Sequence, residues 1–147
     1  MKRIYIREEY CMNCRLCEVH CIVQNSKTKN ILKAYKGEDP KPLARVLVEQ
    51  RGYLSFALQC RHCSDAPCIE ACIGGAMHRD PATMAVVCDE DRCLGCWSCV
   101  RVCPAGAVTP GKAGKVASKC DLCAGDSTPV CVENCPNGAL VYEERKG

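Results

Sequence analysis

The stretch that decides the fold of this chain is CLGCWSCVRVCP, residues 93–104, in which four cysteines follow the spacing C-x2-C-x2-C-x3-C. The run CMNCRLCEVHC at residues 11–21 repeats that spacing. Two further quartets widen one gap and read CRHCSDAPCIEAC at residues 60–72 and CDLCAGDSTPVCVENC at residues 120–135. Sixteen of the seventeen cysteines therefore fall in four quartets, which predicts a chain built to bind metal.

The spacing within the quartets suits an iron–sulfur cube. Three thiolates that are two residues apart let a short loop wrap one corner of the cube and direct backbone N–H groups at its sulfides. The fourth cysteine stands further along the chain, and in two-cluster bacterial ferredoxins with this spacing it binds the neighbouring cluster. Each quartet therefore requires a partner quartet, and four quartets predict four 4Fe–4S clusters.

Structural zinc and disulfides are the two simpler interpretations of so many cysteines. Zinc sites usually join two separate C-x2-C pairs across a longer gap, whereas residues 11–17 and 93–99 each pack three cysteines into seven residues. A disulfide framework needs an oxidising compartment, yet residues 1–10, MKRIYIREEY, contain no apolar secretory segment. An odd number of cysteines also disfavours complete pairing. We therefore expect reduced cysteines and a cytoplasmic location.

The chain has few large side chains with which to build an ordinary core. Among its 147 residues, Phe56 is the only phenylalanine and Trp97 the only tryptophan. We expect the clusters to act as the core, because their ligands tie distant segments together. Folding and metal binding should then be coupled, and the apo chain should be largely unfolded.

The formal net charge of +3 treats every cysteine as neutral. An oxidised 4Fe–4S cluster with four thiolates carries about −2, so four clusters bring the loaded protein to about −5. The basic pI of the bare sequence is therefore no sign of nucleic-acid binding. No apolar stretch approaches the roughly 18 residues that a transmembrane helix needs, so we expect no membrane span.

Short strands are predicted before the first and third quartets, at residues 4–6 and 85–88. Cys88, the seventeenth cysteine, ends the second of these strands where Ile6 ends the first, and we interpret it as a small buried residue. Three quartets are followed by a matching tail, which reads CIGGAM, CPAGAV and CPNGAL at residues 72–77, 103–108 and 135–140. The glycine lets the backbone reverse beside a cluster, and the proline is expected to end a one-turn helix that carries the fourth cysteine.

Hairpins are predicted where residues 76–78 pair with 84–87, residues 107–108 with 115–117, and residues 45–48 with 53–57. The last hairpin lies in the longest gap between quartets, residues 22–59, which we interpret as an insertion. Residues 14–26 are predicted to be helical. Residues 27–42 are predicted to form a polar surface loop, which either contacts a partner or is a solvated connection.

Spacing leaves open how the quartets pair. Linear pairing joins quartet one with two and quartet three with four, whereas nested pairing joins quartet two with three and quartet one with four. The widened loops of quartets two and four either dock a partner or shield a cluster from water.

The whole pattern resembles the four-cluster electron-transfer subunits of anaerobic oxidoreductases. The resemblance is carried by the order of the quartets and by the stretches CRHCSDAPC, GCWSC and KCDLC at residues 60–68, 95–99 and 119–123. That family includes the iron–sulfur subunits of dimethyl sulfoxide reductase, nitrate reductase, formate dehydrogenase and formate hydrogenlyase, and the small partners of carbon monoxide dehydrogenase and aldehyde oxidoreductase. It implies an α+β fold of two pseudo-symmetric bacterial-ferredoxin-like lobes with nested quartets.

Carried over to this chain, the resemblance implies four clusters, each held by three cysteines of one quartet and one cysteine of another. We name them site 1 (Cys11, Cys14, Cys17, Cys135), site 2 (Cys120, Cys123, Cys131, Cys21), site 3 (Cys60, Cys63, Cys68, Cys103) and site 4 (Cys93, Cys96, Cys99, Cys72). Lobe A, residues 1–30 and 115–147, would hold sites 1 and 2. Lobe B, residues 55–114, would hold sites 3 and 4, and residues 31–54 would form an inserted loop and hairpin. Because Cys96 is kept where nitrate reductase members have tryptophan, all four clusters are expected to hold four irons.

These features predict one-electron relay and no catalysis by this chain. The sequence has no Ser-His-Asp set, P-loop or dinucleotide-binding glycine motif. Each site already has four cysteines, so His20, His62 and His78 are expected at the surface or around the clusters.

The resemblance implies a subunit of a hetero-oligomer. Such a subunit would pass electrons between a second redox protein and a catalytic subunit of the carbon monoxide dehydrogenase, formate or aldehyde oxidoreductase type. A free diffusible polyferredoxin is the alternative, and a structural or regulatory iron–sulfur protein is a third possibility.

Overall fold

Short helices and strands alternate with cysteine-bearing loops along the chain. The structure, a computed structural model, describes residues 1–111, 117–124 and 126–144. Its α-helices are α1 (Leu16–Gln24), α2 (Ile31–Lys36), α3 (Pro67–Glu70), α4 (Ser98–Val102) and α5 (Val130–Glu133). Its strands are β1 (Arg3–Ile6), β2 (Val46–Arg51), β3 (Leu54–Gln59), β4 (Met77–Arg79), β5 (Val86–Cys88), β6 (Thr109–Pro110), β7 (Ala117–Ser118) and β8 (Leu140–Glu143). This mixture of small elements confirms the α+β class.

The strands form antiparallel pairs of two. In the described residues, β1 pairs with β8, β2 with β3, β4 with β5, and β6 with β7. The β1–β8 pair joins the two ends of the chain, with Ile6 opposite Leu140, and the Arg7 N–H extends it by donating to the Ala139 carbonyl at 2.8 Å. The strand predicted at residues 4–6 is confirmed as β1, and the strand predicted at residues 85–88 is confirmed as β5 except for its first residue.

Two of the predicted hairpins form with nearly the predicted partners. Strands β2 and β3 pair from Val46 opposite Gln59 to Arg51 opposite Leu54, around Gly52, which has a φ of +60°. Strands β4 and β5 place Met77 opposite Cys88. The third hairpin begins later than predicted, at β6 instead of residues 107–108, and pairs with β7. The predicted pairing of residues 115–116 lies outside the described residues.

The prediction of a polar surface loop over residues 27–42 is wrong in its centre, where α2 forms. Asn30 caps this helix: its side chain accepts hydrogen bonds from the Leu32 and Lys33 N–H groups at 3.0 and 3.2 Å. Such a cap satisfies N–H groups that the first turn leaves without partners. Gly37 ends the helix, and its N–H donates to the Lys33 carbonyl. The Asn30 and Gly37 pair was the local signal for this helix in the sequence.

The helices begin at a fixed place relative to the quartets. Each of α1, α3, α4 and α5 starts one residue before the third cysteine of its quartet, which is Cys17, Cys68, Cys99 or Cys131. The prediction that the one-turn helices carry the fourth cysteine is therefore wrong, because α3, α4 and α5 end before it. A left-handed residue precedes three of these helices, with φ of +58° at Arg15, +34° at Ala66 and +60° at Trp97. The backbone reverses there, and the third cysteine lies in the first helical turn.

Buried side chains form two groups, and cysteines belong to both. The larger group combines Ile4, Val46, Val48 and Leu140 with cysteines of sites 1, 2 and 3. The smaller one surrounds Met77 and includes Cys68 and Cys99. Helix α1 packs against α5, and α3 packs against α4. Within the described residues, no helix is long and apolar enough to cross a membrane.

Candidate metal centre

Site 1 surrounds an apolar cavity between the two ends of the chain. Cys11 and Cys14 lie in the loop before α1, and Cys17 lies on α1. The fourth cysteine, Cys135, lies two residues after the end of α5. Ile6, Val48, Ala57 and Leu140 line the rest of the cavity. The structure therefore brings Cys135 next to cysteines more than a hundred residues away in sequence.

Sites 3 and 4 each surround a cavity of the same kind. The cavity at site 3 is lined by Cys60, Cys63, Cys68 and Cys103, with Val86 and Val108. The cavity at site 4 is lined by Cys72, Cys93, Cys96 and Cys99, with Met77 and Trp97. The empty volumes at sites 1, 4 and 3, counted out to their open mouths, are about 380, 360 and 340 Å³. Three cavities of similar size are expected if each holds the same group.

The cysteines of site 2 lie together where α1 meets α5. Burial raises the pKa of the Cys131 thiol, and the next contributions come from the thiols of Cys120, Cys21 and Cys123. Cys21 is on α1 and Cys131 is on α5, so the packing of these two helices brings the first quartet to the fourth. All four expected groups of cysteines are thus close in space, while the assignment of each cysteine to a cluster stays a prediction.

Backbone N–H groups point at several of these sulfurs. The Arg45 N–H donates to Cys21 Sγ at 3.1 Å, and the Met77 N–H donates to Cys72 Sγ at 3.4 Å. Cys60 and Cys120 each accept from the N–H two residues further on, at 3.4 Å. Such hydrogen bonds favour the anionic form of sulfur, which is the form that binds iron.

A comparison with known proteins gives the family. Residues 52–145 match the family model described as a 4Fe–4S dicluster domain. The chain belongs to this 4Fe–4S dicluster family. Of its relatives, the electron transport protein HydN of Escherichia coli strain K12 is 36% identical, over 92% of this chain and 83% of HydN.

Two further matches come from a longer protein and from a solved structure. AegA of the same strain, named as an oxidoreductase, is 37% identical over 93% of this chain, but the match spans only 21% of AegA. Among solved structures, the active site complex BamBC of benzoyl coenzyme A reductase contains a chain with a TM-score of 0.54 and 23% identity. That match covers 99% of this chain and 78% of the other, and it shows a shared fold.

The cysteines of this 4Fe–4S dicluster protein fit the cluster that the family binds. All seventeen are free thiols, and in three of the four sites they surround a largely apolar cavity. Four thiolates are the usual ligand set of a 4Fe–4S cluster, and apolar walls exclude the water that would hydrolyse it. Within the described residues, no three His, Cys, Asp or Glu side chains converge as they would on a single metal ion.

Several buried thiols must lose protons before they can bind iron. Burial raises the pKa of Cys17 and of Cys120 to about 12, so both are protonated in the metal-free chain near neutral pH. Iron binds thiolate, and cluster assembly must therefore displace these protons. Cys96 differs because it is exposed, and a hydrogen bond from the Ser98 hydroxyl lowers its pKa.

The structure gives three residues around the clusters a more definite place than the sequence did. His62 was expected at the surface or around the clusters, and it is completely buried, whereas His20 and His78 are half-buried. Lys119 was treated only as part of a motif, yet it is 3% exposed. Cys88 lines the cavity of site 4 together with that site's four cysteines. Only the position of Cys88, which follows the repeat, carried a signal in the sequence.

Proposed function

We propose that this protein relays single electrons through four 4Fe–4S clusters and belongs to an oxidoreductase complex whose catalytic chemistry takes place on another chain. The observation that carries the proposal is the presence of four groups of four thiols within one chain. HydN, which matches most of this chain, is named as an electron transport protein, and BamBC is a complex. The ligand sets are those named above as sites 1 to 4.

The packing supports a linear order of clusters from site 1 to site 4. Helix α1 carries Cys17 of site 1 and Cys21 of site 2, one helical turn apart. Helix α3 carries Cys68 of site 3 and ends shortly before Cys72 of site 4. Between the two pairs, burial raises the pKa of Cys120 in site 2, and the Cys60 thiol of site 3 contributes to the same shift. This contribution supports sites 2 and 3 as neighbours in the middle of the proposed path.

This order divides the chain into the two proposed lobes. Lobe A, residues 1–30 and 115–147, would hold sites 1 and 2, and lobe B, residues 55–114, would hold sites 3 and 4. The register supports pseudo-symmetry, because Ile6 lies opposite Leu140 in one lobe as Cys88 lies opposite Met77 in the other. Residues 31–54 would be an addition to lobe A, since β2 places Val48 in the wall of site 1.

The two ends of the path lie near the surface. Cys14 of site 1 and Cys96 of site 4 are exposed, whereas Cys21 and Cys120 of site 2 are buried. Large apolar side chains are exposed beside each end: Met12 is 58% exposed near site 1, and Leu94 is 72% exposed near site 4. Apolar exposure around both ends favours stable partner contacts over a freely diffusing polyferredoxin.

The proposal gives this chain two partners and a non-catalytic role in the cytoplasm. One partner would be a catalytic subunit of the carbon monoxide dehydrogenase, formate or aldehyde oxidoreductase type, and the other would be a second redox protein. Electrons would enter at one terminal site and leave at the other, because the exposed cysteines among the described residues are Cys14 of site 1 and Cys96 of site 4.

The experiment is anaerobic gel filtration of native extract, followed by reductive titration of the purified protein. We expect elution in a larger complex and four clusters that each accept one electron. Leu94→Asp should release the protein from one partner, because a carboxylate would be buried in the contact. Tyr53→Asp is the matched control, since Tyr53 is 94% exposed at the turn between β2 and β3. Elution of the unaltered protein alone would favour the free polyferredoxin, and clusters that accept no electrons would exclude relay.

A further inference from the structure

A buried polar group lies between sites 2 and 3, and both of its side chains bind the backbone of Val86. The Val86 N–H donates to His62 Nδ1 at 3.0 Å, and the Val86 carbonyl accepts from the Lys119 ammonium. Along a strand of an antiparallel pair, the backbone N–H and C=O groups of successive residues point alternately toward the partner strand and away from it. The N–H and C=O groups of Val86 are among those that point away from β4. His62 and Lys119 thus cover this free edge of β5 inside the protein.

The His62 ring is neutral and carries its proton on Nε2. Nδ1 accepts a backbone N–H and is therefore unprotonated, which leaves the proton on the other nitrogen. His62 has no solvent exposure, and its Nε2 has no hydrogen-bond partner among the described residues. A buried N–H donor without an acceptor costs about 1–3 kcal/mol. His62 lies between Cys60 and Cys63 in the sequence, so the sulfur atoms of site 3 are candidate acceptors for its Nε2–H.

The Lys119 ammonium is buried without a carboxylate partner in the described part of the chain. Its hydrogen-bond acceptors are the carbonyls of Val86 and Cys120, the latter at 3.2 Å. The nearby Asp121 carboxylate is occupied by Arg45 at 2.5 Å. A buried cation is strongly disfavoured unless an anion balances it.

The available anions are the two central clusters. Lys119 precedes Cys120 of site 2 in sequence, and Val86, which binds its ammonium, lines the cavity of site 3. Burial raises the pKa of Cys68 in site 3, and the charge of Lys119 is the strongest effect opposing that rise. The lysine therefore lies within electrostatic reach of thiols from both sites.

We infer that Lys119 is the counter-charge shared by the clusters of sites 2 and 3, and that His62 donates its Nε2–H to a sulfur of site 3. Both would be positioning residues for electron relay, so the inference rests on the proposed function. Reduction adds one negative charge to a cluster, and a buried cation or a hydrogen bond to sulfur stabilises that charge. Lys119 and His62 thus raise the reduction potentials in the middle of the path.

The test is a reductive titration of the isolated holoprotein, followed by EPR that resolves the individual clusters. In Lys119→Met, the potentials of two clusters should become more negative while the other two stay in place. Lys119→Arg keeps the positive charge, so the potentials of these two clusters should stay close to those of the unaltered protein. Lys33→Met is the matched control, because it removes one positive charge from the exposed face of α2 and should shift none of the four.

A second variant tests the histidine separately. His62→Asn retains an acceptor for the Val86 N–H but removes the Nε2–H, and it should shift the potential of one central cluster only. If Lys119→Met does not assemble all of its clusters, iron analysis should show that iron is lost from sites 2 and 3 only. The potentials measured in His62→Asn then test the inference. Unchanged potentials in both variants, or equal shifts of all four clusters, would overturn the inference. These potentials are measured on the isolated protein without its partners. The outcome is therefore independent of whether gel filtration of native extract finds a complex.

Discussion

Cys88 is the one cysteine outside the four quartets, and it lies against site 4. The sequence predicted a small buried residue, and the side chain is half-buried in the wall of that cavity. It occupies the register position that Ile6 has in the wall of site 1. Burial, followed by the neighbouring Cys93 thiol, raises the pKa of Cys88 to about 12. Cys17 and Cys120 show the same rise, so the interpretation of Cys88 as a wall residue rests on its place outside the quartets, beside a site that already has four cysteines.

This residue gives the first prediction. Cys88→Ala should retain all four clusters with unchanged iron content, because alanine keeps a small apolar side chain in the cavity wall. Cys93→Ala is the matched comparison five residues away, and it should lose the cluster of site 4. Iron analysis and EPR of the reduced proteins check both variants. Loss of one cluster's iron in Cys88→Ala would show that Cys88 is a ligand.

Single residues also show where prediction from sequence stops. Cysteine spacing named every candidate ligand, because the loop that binds a cube corner requires ligands close in sequence. The sequence left His62 undecided between the surface and the surroundings of a cluster and did not single out Lys119, because each stands beside a cysteine in a polar stretch that resembles an exposed loop. Their burial arises from the packing of β5 against residues far away in sequence, and no local pattern reports such contacts.

At the scale of elements, the tails after three quartets share one turn. Gly75, Gly106 and Gly138 have φ of +60°, +59° and +61°, as expected for a backbone that reverses beside a cluster. Only glycine adopts this conformation without cost. The neighbouring Gly74 has a different role: a Cβ there would lie 2.9 Å from the Arg92 carbonyl oxygen and 3.2 Å from the Leu94 side chain. Gly74 thus lets the second-quartet tail approach the third-quartet loop.

This close approach gives the second prediction. Gly74→Ala should push the loop that begins at Cys93 away from Cys72 and accelerate the loss of the site 4 cluster. The measurement is the rate of absorbance bleaching under an iron chelator without oxygen. Gly106→Ala is the control, because its Cβ meets nothing within 4 Å and adds only the cost of its φ, about 1–2 kcal/mol. Gly74 does not have a positive φ, so equal bleaching rates for the two variants would show that the collision at Gly74 has no specific effect on site 4 and would contradict the prediction.

The elements themselves were predictable to different degrees. Strands β1 and β5 and the β2–β3 hairpin follow from apolar patterns and turn residues, which are local signals. Helix α2 was missed because the residues on either side of it are mostly lysines and other polar residues. The cap at Asn30 stabilises a helix within this polar stretch. The one-turn helices were placed late because the proline after the fourth cysteine was taken as the helix end, although a left-handed residue precedes the start of α3 and of α4.

At the scale of the molecule, the core depends on the clusters. The largest fully buried side chains in the described residues are of moderate size: Met77, His62, Val46, Val86 and Pro129. Without clusters, the cavities of sites 1, 3 and 4 would leave their apolar walls without packing partners. The chain therefore has little apolar burial that is independent of metal.

The third prediction is that iron removal unfolds the protein. Anaerobic chelation should abolish most of the far-UV circular dichroism signal, because each cluster joins segments that otherwise have few contacts. Reconstitution with iron and sulfide should restore the signal. A metal-free protein that retains its full native spectrum would contradict the prediction and would show that the polypeptide packs on its own.

The last prediction concerns how the quartets interlock, and one helix tests it. Cys17 and Cys21 both lie on α1, but Cys17 lines site 1, whereas Cys21 lies with the fourth quartet at site 2. Cys21→Ser should therefore lose the cluster of site 2, whose other three cysteines lie about a hundred residues further along the chain. Cys17→Ser, four residues earlier on the same helix, should lose the cluster of site 1.

Cluster-resolved EPR and iron analysis distinguish the pairings when Cys21→Ser is compared with a variant of the fourth quartet. Both pairings give Cys17 and Cys21 different clusters, but only under nested pairing does Cys21→Ser remove the signal that Cys120→Ser also removes. Under linear pairing, Cys21 would instead serve a cluster of the second quartet, and Cys21→Ser would remove the signal that Cys60→Ser also removes. Because Cys17→Ser and Cys21→Ser are conservative and share one helix, a difference between their spectra reports which cluster each thiol holds, and a general loss of stability would affect both alike.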